Sequence, residues 1–433
     1  MHTLAQLRAG QLAGLRRLDL AEGLREFPPE IFQLADTLEV LNLSGNQLSH
    51  LPDTLPQLHK LRILFLSDNQ FEQLPAVLGR CPNLTMLGLK ANRIHHIAPG
   101  ALAPSLRWLI LTDNRLAALP AEIGQCRDLQ KLMLAGNALR SLPAELAQCQ
   151  RLELLRIAAN QFNALPDWLF TLPQLRWLAI AGNPCCPDLL SSQPSVPWAA
   201  LQLHEQLGEG ASGQIFRADW RQPDGTNRTV ALKLFKGALT SDGLPQSELA
   251  ACLQAGRQAN LPEVLGELHG HPDGRHGLLM ALIPSDFRNL AGPPSLASCS
   301  RDCYPAELSL SAAQLRRIAQ GVAAAMQQLH ARGLSHGDLY AHNLLWRGDG
   351  EALLSDFGAA SPLAALPPEQ ALAMQRLEAS AFGCLLAELL AHCHEADELI
   401  ALDALAGACQ QPEPQLRPSF AAITAALAQP VTR

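Results

Sequence analysis

Lysine is nearly missing from this chain. Of 433 residues, only Lys60, Lys90, Lys131, Lys233 and Lys236 are lysines, so arginine carries almost all the positive charge. Excess positive charge is missing too: 33 basic residues face 40 acidic ones, a net charge of −7. That balance gives no footprint for nucleic acid or for an anionic membrane surface. No apolar run approaches the roughly 18–20 residues a spanning helix needs, because Arg, Gln, Glu or His interrupts the longest ones. Met1–Gln11 lacks the charged-then-apolar order of a signal peptide. The 11 cysteines do not form the even frame of a small disulfide-stapled chain, so a reducing cytoplasm is the expected compartment. The length suits two or three cores.

What the chain does have is a period. The pattern L-x-x-L-x-L-x-x-N starts at Leu15, Leu38, Leu61, Leu84, Leu106, Leu129, Leu152 and Leu175. From the second unit on, the ninth position holds Asn46, Asn69, Asn92, Asn114, Asn137, Asn160 and Asn183. Residues such as Leu41 and Leu43 alternate inward on a short strand, and the Asn amide turns in to satisfy backbone groups where the chain leaves it. Leu-Pro pairs, from Leu51-Pro52 to Leu165-Pro166, open the return segment. One unit cannot bury its own apolar edge, so stacking must supply the core. Cys81, Cys126 and Cys149 share the repeat position of Leu58 and Leu172, with Leu34 one residue off it, and are expected as small core residues.

This period resembles the leucine-rich repeats. An α/β leucine-rich-repeat solenoid of about eight repeats is expected over residues 1–190, with a cap at Asn183-Pro184-Cys185-Cys186-Pro187 and a short capping helix within Thr3–Ala13. Residues 191–200, Ser/Pro-rich at their start, are expected as a linker. The strand positions facing the concave side hold Val40, Ile63, Phe65, Met86, Trp108, Ile110, Met133, Leu154 and Trp177, an apolar stripe for a solvent face. It is expected to bind a protein partner or substrate, or else to be covered by the second domain.

From Leu203 the period vanishes. Leu207-Gly208-Glu209-Gly210-Ala211-Ser212-Gly213-Gln214-Ile215 is a G-x-G-x-x-G-x-I loop, a pattern also found in dinucleotide folds. A dinucleotide fold predicts a helix next. Here a strand-like run, a Pro-Asp-Gly turn and Val230-Ala231-Leu232-Lys233 follow, which is a hairpin with a glycine loop. Glu248 lies 15 residues after Lys233 in a helical stretch and is the expected partner of that lysine, ahead of Glu263 and Glu267. After a helix over Ser311–Arg332 comes His336-Gly337-Asp338-Leu339-Tyr340-Ala341-His342-Asn343, then Ser355-Asp356-Phe357-Gly358 with room for a strand hairpin between.

These blocks resemble, in order, the glycine loop, V-A-x-K lysine, H-R-D-L-x-x-x-N catalytic loop and D-F-G motif of protein kinases. Pro367-Pro368-Glu369 stands where kinases have A-P-E, Glu378–Gly383 resembles D-x-W-S-F-G, and Arg417-Pro418-Ser419 resembles the late Arg motif whose Arg pairs with the A-P-E glutamate. The resemblance implies an α+β bilobal kinase-like domain over 201–429. It implies ATP and Mg²⁺ as cofactors, with Leu207 to Ile215, Lys233 and Glu248 around the nucleotide, Asn343 and Asp356 as metal ligands, and Asp338 as catalytic base. The pairing of domains is similar to bacterial leucine-rich-repeat protein kinases of the Hanks serine/threonine type.

Two departures matter. Gly337 replaces the catalytic-loop Arg, so no cationic pocket awaits a phosphorylated activation loop. Tyr340 replaces the lysine that steadies the γ-phosphate in serine/threonine kinases, and His342 stands where tyrosine kinases carry Arg. A nucleotide-binding pseudokinase scaffold and a small-molecule phosphotransferase are therefore carried as alternatives.

Overall fold

The computed structural model describes residues 2–187, 194–210, 212–237, 239–240, 242–395 and 399–429. They form two compact units, Met1–Leu175 and Arg176–Arg433.

In the first unit, helix α1 (Leu4–Arg8) opens the array. Thr3 caps it in a reciprocal capping box with Gln6, and Leu7 is buried. Seven three-residue strands then follow, each parallel to the next in a constant register. Val40 pairs with Ile63, Met86, Trp108, Lys131 and Leu154 in turn, one residue per repeat. The middle residue of each strand, from Leu18 to Leu155, is fully buried. Each such leucine contributes roughly 2 kcal/mol of burial that a single repeat could not realise alone. Pro75, Pro120, Pro143 and Pro166 cap single-turn 3₁₀ segments on the return side. Proline fits there because it has no N–H to leave unpaired.

The asparagine ladder works as the spacing predicts. Asn69 Nδ2 donates to Leu43 O at 3.0 Å and Leu66 O at 3.1 Å, while its Oδ1 accepts Leu48 N at 2.8 Å. Each amide thus joins two successive turns. The residue just before each ladder Asn is left-handed: Gly45, Asp68, Ala91, Asp113 and Gly136 have φ from 54° to 73°, and Ala159 has 52°. Cys81, Cys126 and Cys149 are buried as expected. On the strand face, Val40, Phe65, Trp108, Ile110 and Met133 are half-buried, whereas Ile63, Met86 and Leu154 are buried. Phe65 lies over Gly88, where a Cβ would meet the ring at 2.8 Å. The Lys131 ammonium stands 4.6 Å from the Trp108 ring.

The second unit begins with the strand of the eighth repeat, Trp177–Ala179, whose turn closes through an Asn183–Cys186 bridge. Of the expected linker, residues 191–193 lie outside the described residues, as do 188–190. Ser195–Pro197 is a strand rather than linker, paired in parallel with Val264–His269. The reason is Val196, which is 1% exposed and enters the core with Val230, Leu232, Leu268 and Leu279. The full sheet orders as Ser195–Pro197, Val264–His269, Gly277–Ala281, Asn227–Phe235, Gly213–Arg221 and Leu201–Glu209. The glycine loop joins two antiparallel strands, not a strand and a helix.

Helix α2 (Pro245–Ala255) flanks this sheet. Helix α3 (Ala312–Ala331) is capped by Ser311 and Gln314, and buries one continuous apolar face. The hairpin Leu344–Trp346 with Ala352–Leu354 follows, as the Asn343 to Asp356 spacing predicts. Helices α4 (Pro368–Ala391), α5 (Ile400–Cys409) and α6 (Phe420–Leu427) complete the lobe. One expectation changes here. Pro368-Glu369 is the first turn of α4, since proline favours that place, and Glu369 is exposed. Arg417 is instead 1% exposed, donating to Gln411 O at 2.8 Å, and burial lowers its pKa to about 10. The structure does not bring the two together.

Candidate functional site

Between the six-stranded sheet and the segments around Asn343–Leu345 and Ser355–Phe357 lies a cleft of about 840 Å³. Leu207, Glu209, Gly210, Ser212, Gly213 and Ile215 line it, as do Lys233, Glu248, Asn343 and Asp356. Ala211 lies outside the described residues. Gly208 is not among the lining residues, and Gln214 faces a separate cavity beside Arg275. Strand alternation is the reason for the latter: Gly213 and Ile215 share a face that Gln214 cannot. Gly213 admits no side chain, for a Cβ would sit 2.7 Å from Leu234 O. Ile215, Ala231, Met280 and Leu345 give the cleft apolar walls.

Lys233 donates to Glu248 in a pair that is almost wholly buried. Glu263 pairs with Arg228 and Arg257 and is therefore not the lysine's partner. Glu267 lies on the strand Val264–His269, 40% exposed at its side chain. Burial opposes the charge on Lys233, but the Glu248 and Asp356 carboxylates outweigh it and hold the ammonium above its ordinary pKa. Burial also pushes Glu248 up, and Asp356 adds to the push against the pull of Lys233. One cation thus faces two carboxylates. Asp356 itself is exposed and left-handed at φ 60°, a conformation rare for a non-glycine residue.

Asp338 is positioned from three directions. Asn343 Nδ2 donates to its Oδ2 at 3.0 Å and to its carbonyl at 2.9 Å. The Asp338 N–H donates to His336 Nδ1 at 3.3 Å, while His336 Nε2 donates to Ser355 O at 3.2 Å. Those two bonds require the neutral imidazole, and complete burial lowers its pKa accordingly. Below the loop, Glu378 Oε1 accepts His336 N at 2.6 Å and Gly337 N at 2.7 Å. Its Oε2 lies 2.6 Å from His330 Nε2. His342 Nδ1 lies 2.7 Å from Asp302 Oδ1.

Two contacts were not legible in the sequence. Lys236 donates to Glu209 beside the glycine loop and, with Gln206, holds that carboxyl at about 2. Its scarcity as one of five lysines was the only available signal. The second is Trp177, placed on the concave stripe by its repeat position. It is 1% exposed, and its Nε1 donates to Leu339 O at 3.0 Å, so it is no free surface residue.

Comparison with known proteins agrees with this geometry. A leucine-rich-repeat family model matches residues 13–71 and 127–184. A model described as protein tyrosine and serine/threonine kinase matches residues 201–367. The chain therefore carries leucine-rich repeats followed by a protein kinase domain. Similar proteins include the angiopoietin-1 receptor of Danio rerio, 29% identical over 38% of this chain and 15% of its own length. The non-receptor tyrosine-protein kinase TNK1 of Homo sapiens is 31% identical over 39% of this chain and 24% of its own. The serine/threonine-protein kinase PknE of Mycobacterium tuberculosis is 29% identical over 39% and 28%. The chain thus spans under a third of the length of these relatives. Among the described residues, no helix is long and apolar enough to cross a membrane.

Proposed function

We propose that the chain is an ATP-dependent protein kinase acting on serine or threonine, with the repeats recruiting its protein partner or substrate. The observation that carries this is the gathering of Lys233, Glu248, Asn343 and Asp356 in one cleft, with Asp338 tied to Asn343. The catalytic domain is taken to run on to Gln429, since α6 packs on α3 and α5 on α4. A reducing compartment, and with it a cytoplasmic location, fits 11 free thiols.

ATP and Mg²⁺ suit this donor set. Two carboxylates against one ammonium leave negative charge that a divalent cation offsets, and Asn343 and Asp356 offer hard oxygens. When bound, Mg-ATP supplies the phosphoryl group and neutralises its charge. Lys233, held in place by Glu248, would bind the phosphates. Asp338 would orient the acceptor hydroxyl and take its proton on a carboxylate oxygen. The apolar walls would hold a flat base.

Serine/threonine preference draws on His342, which stands where an arginine marks tyrosine kinases. A second reading, a nucleotide-binding scaffold, draws on Tyr340 in the place of the transfer lysine. Labelled ATP with generic protein acceptors separates them. The expected result is Mg²⁺-dependent transfer to serine or threonine, brought to background by Asp338→Ala and, separately, by Lys233→Met. Nucleotide binding without transfer in the parent protein establishes the scaffold.

A further inference from the structure

The eighth repeat lies against the catalytic loop on both sides of Asp338. The Trp177 indole stacks on Tyr340, with ring centroids 4.1 Å apart and planes 13° from parallel. Its Nε1–H donates to Leu339 O at 3.0 Å. The Arg301 guanidinium lies over the same indole, 5.5 Å from its ring centroid. One residue before Asp338, Gly337 has φ 74°, and a Cβ there would stand 2.4 Å from Ala359 O and 3.0 Å from Leu178 O. The glycine that replaces the loop arginine is thus required by the close approach of two backbones.

The residues that follow this strand hold the activation segment. Ile180 N donates to Ser361 Oγ at 3.1 Å, and Cys186 Sγ donates to Pro362 O at 3.0 Å. Ser361 is fully buried, and it is the sole hydroxyl residue from Gly358 to Pro368. A phosphate there would place nearly two negative charges in a dry site already facing the Ala359 carbonyl.

From this we infer that Trp177 is a positioning residue for Asp338, and that the eighth repeat orders the catalytic loop and activation segment in place of phosphorylation. The inference rests on the kinase reading for its catalytic consequence but not for its structural one. A strand is a stiff support for a loop that otherwise opens easily. Anchoring residues 337, 339 and 340 leaves Asp338 little freedom, and small displacements of a reacting group cost rate steeply.

The test uses the full chain. Trp177→Ala should lower kcat for labelled-ATP transfer by about tenfold or more while KM for ATP moves less than about threefold. Trp177→Phe, which keeps a ring on Tyr340, should recover most of the rate. Tyr340→Ala should reproduce the loss, and the double variant should be no slower than either single one. Ser361→Asp should slow transfer, the reverse of an activating phosphate. Parent-like kcat in Trp177→Ala, or additive losses in the double variant, overturns the inference. Amide hydrogen exchange provides a readout independent of catalysis. In Trp177→Ala, protection should fall at Leu339–Leu344 and Ala359–Leu363 while α3 keeps its own. If the parent transfers no phosphate but this pattern appears, the kinase reading fails and the positioning role stands; unchanged protection overturns the role itself.

Discussion

Glu378 accepts the backbone N–H of Gly337 at 2.7 Å, from a side chain only 3% exposed. The same oxygen also serves His336 N. A helix interior thus supplies the acceptor for two consecutive loop donors. Glu378→Ala should destabilise the protein by about 3–5 kcal/mol, because it removes a buried charged acceptor shared by two loop N–H groups and His330. Glu378→Gln, which keeps an oxygen in place, should lose less than half of that. Urea denaturation of the full chain measures both.

The left-handed position before each ladder asparagine makes a prediction in the opposite direction. Ala159 holds φ 52° and Ala91 φ 54°, where a Cβ costs about 1–2 kcal/mol. Glycine relieves this but adds freedom to the unfolded chain, worth about 0.4–1 kcal/mol. Ala159→Gly should therefore raise stability by about 0.5–1 kcal/mol, and Gly136→Ala should lower it by a similar amount. A fall in the unfolding midpoint of Ala159→Gly contradicts the strain account.

Trp108 and Ile110 form the half-buried centre of the strand face, with Trp108 Nε1 3.4 Å from Met133 Sδ. Aromatic residues in such a place anchor interfaces. Replacing both by Ser should weaken binding of the best acceptor protein from the transfer assay by about tenfold or more, at about 1–2 kcal/mol in stability. Calorimetric titration and thermal unfolding separate the two effects. Unchanged affinity moves the partner surface elsewhere.

His336 sets a pH dependence. Its pKa is lowered in the fold, so between the folded and unfolded values the unfolded chain binds the extra proton. Its contribution is complete above the unfolded value near 6.5 and is lost as pH falls below it. The slope from this group is at most about 1.4 kcal/mol per pH unit. His336→Phe should show a flatter loss of stability between pH 7.5 and 5.5 than the parent. Equal slopes would assign the acid sensitivity to other groups.

The motif residues were legible because phosphoryl-transfer chemistry needs particular side chains at particular spacings. Lys233, Asp338, Asn343 and Asp356 stand at the positions proposed for it, and Glu248 was readable from helical context. The segment Ser195–Ala200 was not, because serine and proline mark both linkers and edge strands, and only the burial of Val196 distinguishes them. Pro368-Glu369 misled for a related reason. Proline before an acidic residue suits a loop motif and a helix start equally well.

The 23-residue period determined the array from the sequence alone, since each repeat meets only its neighbours and local spacing dictates that contact. The order of glycine loop, lysine, catalytic loop and D-F-G likewise determined the kinase class. Tertiary structure alone decided what Gly337, Tyr340 and Trp177 do. These residues meet across more than 150 positions of chain, and no periodicity or motif spacing encodes such an approach. The sequence shows Gly337 as a missing arginine and Tyr340 as a missing lysine. In the fold they are the space and the ring that receive Leu178 and Trp177, because packing of distant segments depends on shape and hydrogen-bond geometry that exist only once both have folded.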